Sequence, residues 1–285
     1  MTATTTQSNA DLDSTAHIMN LITDQLALQL SRVSRDGTRR PAPPALVLVA
    51  HGSRDPRALA TVRALMDRVR AQRPGLDVRL GHIELNEPLL PDTLAALGDR
   101  EAVLVPLLLS RGYHVKRDIP EMAAAAGARA RLAAPLGPHP LLVETLRARL
   151  LEAGWPARTS LAGRRTGAVV LAAAGSRDPE AAEDTGRTAR LLADRLGVPV
   201  VPAYASAAAP TVAEAVRALA AAGRTRTAVA SYFTAPGRFA RECAGAAPWI
   251  AAAPLGAHPS MTTLILHRYD EALTRTGPLP ALASA

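Results

Sequence analysis

A single cysteine, Cys243, stands among 285 residues. That excludes a disulfide framework and any all-cysteine metal site, and it suits a reducing cytoplasm, where the protein is expected to work. Lysine is as scarce: Lys116 is the only one among 33 basic residues. Aromatic residues make up 3% of the chain, too few for a platform on which nucleobases stack. The arginines behind the formal charge of +8 are scattered and form no basic helix, so no nucleic-acid partner is expected. A composition rich in Ala, Arg, Gly and Pro accounts for that charge as well as a polyanionic partner does. If there is such a partner, dispersed guanidinium groups suit a small polycarboxylate, which they bind bidentately. No uncharged apolar run is long enough to cross a bilayer, and none is expected to. Residues 1–13 are polar and partly acidic, without the basic start or apolar stretch of a signal peptide. Neither of the phosphate-cradling patterns, GxxxxGK[ST] or GxGxxG, is complete, and no GxSxG elbow precedes a helix.

What the chain does have is a repeat. VLVAHGSRDP at 47–56 returns as VLAAAGSRDP at 170–179, and PLGPHP at 135–140 returns as PLGAHP at 254–259. Two landmarks in the same order at nearly equal spacing indicate a tandem duplication. In the first copy, short apolar runs at 45–50, 77–85, 102–109 and 131–134 predict strands. They alternate with helical patterns at 56–72, 91–97, 119–126 and 140–152. Asp55 and Pro56 supply a cap and a first-turn proline. The second copy repeats the order, with strands expected at 168–173, 198–204, 227–233 and 250–253 and helices after Pro179, Pro210, Gly237 and Pro259. Such alternation predicts parallel βα units with helices on both faces. The expected domains are 45–155 and 167–275, joined by a linker at 156–166. Residues 1–44 are expected to form an extension, disordered at 1–13, with one amphipathic helix at 16–33 and a basic linker after it.

Ligands of open parallel sheets bind beyond the carboxyl ends of the strands. His51 follows the first strand, Glu84 ends the second, and His114 lies in the loop after the third, SRGYH. Two imidazoles and a carboxylate suit a borderline divalent ion such as iron, cobalt, nickel or zinc, and the same groups can accept protons. The repeat acts as an internal control. His51 matches Ala174, Glu84 falls against Ser206, and His114 matches Phe239. The second copy therefore keeps the scaffold and lacks all three chemical groups. The features common to both copies belong to folding: GSRDP turns the chain and caps a helix, and His139 and His258 shape the last strand-to-helix turn. His82, in or at the margin of the second strand, is read as packing. Ser53, at a helix start, suits a turn or an anion site. His17 and His267 carry no signal, and Cys243 has no suitable base beside it.

VLVAHGSRDPRA at 47–58, HIELNEPLLPDTL at 82–94, VLVPLLLSRGYHVKRDIP at 103–120 and PLGPHP together resemble the sirohydrochlorin chelatases, the class II cobalt and iron chelatases. The resemblance covers both halves, from about 45 to 272, and places this chain with the long two-domain form. It implies an α/β fold of two tandem, similar chelatase-like domains, each a small parallel sheet flanked by helices, with a cleft between them. It implies catalytic and metal-holding roles for His51, His114 and Glu84, with Glu87 close by in the same motif. It implies a lyase that inserts a divalent ion into the eight-carboxylate macrocycle sirohydrochlorin, with Fe²⁺, on the way to sirohaem, favoured here. The alternatives are Co²⁺ insertion for cobalamin and a non-catalytic metal or tetrapyrrole carrier. No cofactor beyond the substrate ion is implied. Ser53, Arg54, Arg111 and Lys116 are the candidates to meet the substrate carboxylates. The chain is expected as a monomer or homodimer. Ala174 and Phe239 leave one active site per chain, and residues 1–44 fall outside the family pattern.

Overall fold

The computed structural model describes residues 42–274, of which 44–274 lie in the unit Pro44–Ala285. The expected helix at 16–33 and the rest of the extension before residue 42 lie outside the described residues. The first half runs β1 (Ala45–Ala50), α1 (Pro56–Gln72), β2 (Val78–His82), α2 (Leu90–Ala95), β3 (Ala102–Pro106), a π-helical turn (His114–Asp118) leading into α3 (Ile119–Ala125), β4 (Ala130–Leu132) and α4 (Pro140–Glu152). After α5 (Leu161–Thr166), the second half runs β5 (Gly167–Ala173), α6 (Pro179–Leu196), β6 (Val200–Tyr204), α7 (Val212–Ala221), β7 (Arg226–Ser231), α8 (Arg238–Gly245), β8 (Ile250–Ala251) and α9 (Pro259–Thr274). The two sheets are parallel throughout, with orders β2-β1-β3-β4 and β6-β5-β7-β8. The tandem α/β architecture is thus as the sequence predicted.

Period-two alternation decides where each central strand sends its side chains. Leu46 and Leu48 of β1 point into one core together with Val169 and Leu171 of β5 and residues of α1, α4, α6 and α9. Val47 and Val49 point the other way, into a core closed by α2 and α3. Val170 and Ala172 do the same under α7 and α8. The halves are therefore joined through a common core of four helices held between two sheets. Both faces of β1 and β5 are buried, which is why these strands read as unbroken apolar runs.

Three local departures from expectation have physical causes. The segment 156–166 ends in the short helix α5, capped by Ser160, which accepts from the Gly163 amide at 3.1 Å. No α5 residue is buried, so the helix left no apolar period in the sequence. Strand β2 stops at His82 rather than at residue 85, because Leu85 takes a left-handed φ of 66° and turns the chain. Helix begins at His114, earlier than predicted. Pro120 has no amide to donate to Lys116, and the ladder there is π-type, with the Ile119 amide donating to the His114 carbonyl. Among the described residues, no helix is long and apolar enough to cross a membrane.

Candidate active site

The ends of β1 and β2 are stitched together beyond the sheet. The Ile83 amide donates to the Ala50 carbonyl at 2.9 Å and the Glu84 amide to the His51 carbonyl at 3.0 Å. The Ser53 amide donates to the Asn86 side chain at 2.7 Å. This crossing requires Gly52. Its φ is +104°, and a Cβ there would lie 1.8 Å from the Glu84 carbonyl oxygen. One backbone contact thus sets His51 and Glu84 side by side.

The side chains follow. His51 Nδ1 lies 3.5 Å from Glu84 Oε1, an ion-pair distance longer than a hydrogen bond. The His51 and His114 rings meet edge to face, with centroids 4.6 Å apart and planes at 88°. All three side chains are accessible, at 42%, 52% and 39% for His51, Glu84 and His114. His114 Nδ1 is bonded to Asp118 Oδ2 at 2.5 Å. A neutral His114 that donates from Nδ1 leaves the Nε2 lone pair free for an electrophile. Asp118 was not picked out from the sequence. The signal was present: an acid four residues after a histidine, just before Pro120. In the helix that forms there, residues four apart share a face. Among the described residues, no three His, Cys, Asp or Glu side chains are grouped so as to hold a metal ion. The structure gathers the pairs His51–His114 and His51–Glu84.

The CbiX family model matches twice, over residues 45–153 and 168–272. The chain belongs to the CbiX family. A sirohydrochlorin cobaltochelatase of Methanococcus aeolicus is 37% identical over 81 residues, 27% of this chain and 57% of that protein. A sirohydrochlorin ferrochelatase of Bacillus subtilis is 28% identical over 179 residues, 60% of this chain and 66% of that protein. This chain thus spans little more than half the length of the first relative. The sirohydrochlorin chelatase SirB from Bacillus subtilis subspecies spizizenii, in complex with cobalt, superposes with a TM-score of 0.66 at 23% identity, over 83% of this chain and 98% of that one. That likeness concerns the fold.

Within this CbiX chain the second half keeps the same cage without the chemistry. Gly175 has a φ of +90°, a Cβ there would lie 1.8 Å from the Ser206 carbonyl oxygen, and the Ser206 amide donates to the Ala174 carbonyl at 3.0 Å. The peptides before Pro88 and Pro210 are both cis. Phe239 stands where His114 stands, with the Arg238 guanidinium over its ring at 4.8 Å. The histidines of PLGxHP are structural: His139 Nδ1 accepts from the Leu141 amide at 3.1 Å and His258 Nδ1 from the Ser260 amide at 3.2 Å, each at a helix start. His82 is 1% exposed and bonded through Nδ1 to the Pro88 carbonyl oxygen. Burial pushes the pKa of all three down. Cys243 is buried, and burial raises its thiol pKa.

Of the four residues expected to meet substrate carboxylates, three have other partners. The Ser53 hydroxyl accepts from the Asp55 amide at 3.1 Å, and Ser176 does the same for Asp178, so this serine builds the turn. Arg111 is held by acids of α6. Its Nη2 lies 2.8 Å from Asp184 Oδ1, its backbone amide donates to Asp184 Oδ2 at 2.9 Å, and Glu180 and Glu183 stand at 3.4 and 3.7 Å. Lys116 Nζ lies 2.7 Å from Asp178 and 3.0 Å from Glu180. The sequence showed free cations there because their acidic partners come from the other half. Arg54 alone is exposed with no ion pair to another described residue.

The second half also braces the loop that carries His114. The Thr234 hydroxyl donates to the Leu107 carbonyl and the Tyr232 hydroxyl to the Leu109 carbonyl, both at 2.9 Å. Asp184, only 1% exposed, takes the Arg111 amide and guanidinium together. Two ion pairs then cross symmetrically between the halves: Lys116 to Asp178, the cap of α6, and Arg241 to Asp55, the cap of α1, each at 2.7 Å. Beside the first of these is an open cleft of 690 Å³, lined by Tyr113, Lys116 and the segment 176–180.

Proposed function

We propose that this chain is a sirohydrochlorin chelatase, inserting a divalent ion into the tetrapyrrole at the site of His51, His114 and Glu84. The observation that carries this reading is the edge-to-face meeting of two accessible histidines beside a carboxylate, in a CbiX chain whose second copy lacks all three groups. Relatives that bear both chelatase names support it. The ion is substrate here. The imidazoles hold it as it sheds water, Asp118 keeps the His114 ring in place, and Glu84 or His51 takes up a pyrrolic proton. The 690 Å³ cleft lined by Tyr113 and Lys116, which flank His114 in the sequence, receives part of the macrocycle, and Arg54, beyond β1, meets its carboxylates. No cofactor beyond the ion is needed, because the chelate is the thermodynamic sink. Fe²⁺ is the first ion to test. Co²⁺ is the second reading, favoured by the name of the Methanococcus relative, and two imidazoles and a carboxylate accept either ion.

The test is anaerobic incubation with sirohydrochlorin and Fe²⁺ or Co²⁺, following the macrocycle absorption. Insertion faster than the protein-free blank supports the reading, and the faster ion identifies the pathway. Tight tetrapyrrole binding with no acceleration by either ion would replace it with a carrier.

A further inference from the structure

At the far end of α6 from this site lies a second cavity, of 350 Å³. Helix α6 has 18 residues, so at 1.5 Å per residue its ends are about 27 Å apart. Its N-terminal end carries Asp178 and Glu180 of the cleft, and its C-terminal end carries Arg195 and Leu196 of the cavity. Four of the ten lining residues are arginines, Arg147, Arg158, Arg164 and Arg195, and none is an acid. Arg195 is paired outside the lining with Glu144, at 2.7 Å. Arg147, Arg158 and Arg164 form no ion pair with any other described residue. Trp155 and Leu196 supply an apolar wall.

Guanidinium groups cannot be discharged by a pKa shift at any working pH. Glu144 offsets Arg195 and, at longer range, Arg147; a bound counter-anion would relieve the repulsion that remains, and the planar forks fit the paired oxygens of carboxylate or phosphate. The cavity is also particular to the joined chain. Arg147 comes from α4, Arg158 and Arg164 from the segment between the halves, and Arg195 from α6. Neither repeat alone carries it.

We propose that this cavity is a binding site for a small multivalent anion whose acidic oxygens are carboxylate or phosphate, separate from the metal-insertion site. The experiment titrates the full chain with pyrophosphate and with citrate at constant ionic strength, by calorimetry and by thermal shift. Alongside it run Arg158→Glu, the triple variant Arg147→Ala/Arg158→Ala/Arg164→Ala, and Arg54→Ala at the other site. Saturable binding of one probe near one equivalent is expected, and the better probe identifies the acid class. Arg158→Glu should weaken it by about tenfold or more, the loss of one charge-assisted contact plus a repulsion. Arg54→Ala should leave it unchanged. The single exposed substitution guards against misfolding of the triple variant. A Tm shift that sodium chloride reproduces at matched ionic strength would overturn the proposal. So would binding that survives Arg158→Glu and is lost in Arg54→Ala. Because anion binding is read without the tetrapyrrole, it stands or falls apart from the chelatase reading.

Discussion

Replacing Gly52 by alanine tests the site where folding and chemistry meet, and the repeat supplies its control at Gly175. A Cβ at either position falls 1.8 Å from a backbone carbonyl oxygen, that of Glu84 or of Ser206. Both glycines sit at positive φ, +104° and +90°, where an L side chain adds about 1–3 kcal/mol of strain. Relief means pushing the facing loop away, at about 1 kcal/mol for each hydrogen bond lost. The bonds at risk are Glu84 to His51 in one copy and Ser206 to Ala174 in the other. Each substitution should thus cost about 3 kcal/mol, which for a unit of this size lowers Tm by roughly 6–12 °C. Their effects on function should differ. Gly52→Ala displaces His51 from Glu84 and should abolish most metal insertion even at temperatures where the variant is folded. Gly175→Ala displaces Ala174 from Ser206 and should leave kcat near that of the parent. Calorimetry and an anaerobic insertion assay, both well below the lowered Tm, decide the matter. Parental stability for both variants would refute the steric argument. Equal loss of kcat in both would refute the assignment of the chemistry to the first half.

Asp118→Ala should reduce insertion about tenfold to a hundredfold, the usual cost of losing the partner of a metal-binding histidine, with no further effect in a His114→Ala background. Full additivity in that double-mutant cycle would show that Asp118 acts elsewhere. Arg111→Ala leaves the buried Asp184 without its guanidinium and should destabilise the fold by about 3 kcal/mol in chemical denaturation. A raised KM with unchanged stability would return Arg111 to the substrate. Tyr232→Phe leaves the Leu109 carbonyl without its donor, at about 1–3 kcal/mol, checked in the same denaturation series. Burial lowers the pKa of His82, His139 and His258 below the ordinary 6.5. The unfolded chain therefore takes up these protons first, and stability should fall as the pH drops below about 6.5. Calorimetry between pH 7.5 and 5 measures the slope, and His139→Asn, which keeps a capping side chain, should flatten it.

Much of this molecule was legible in the chain. The repeat, the parallel βα order, β1 at 45–50, α1 at 56–72 and α4 at 140–152 follow from local apolar runs, caps and prolines, whose physics acts over a few residues. So does the placing of His51 just beyond β1 and of Glu84 just beyond β2, whereas His114 opens the π-helical turn eight residues after β3. Properties set by residues far apart in sequence were not legible. Arg111 and Lys116 looked free because Asp184, Asp178 and Glu180 approach only when the halves share a core. The π-helical turn that brings Asp118 under His114 depends on a hydrogen-bond ladder, not on a periodic signal. The close approach of Gly52 to Glu84, the brace from Tyr232 and Thr234, and the arginine cavity behind the joint are all contacts across sequence gaps. Local propensity fixes which elements form, and only their packing decides which charges meet.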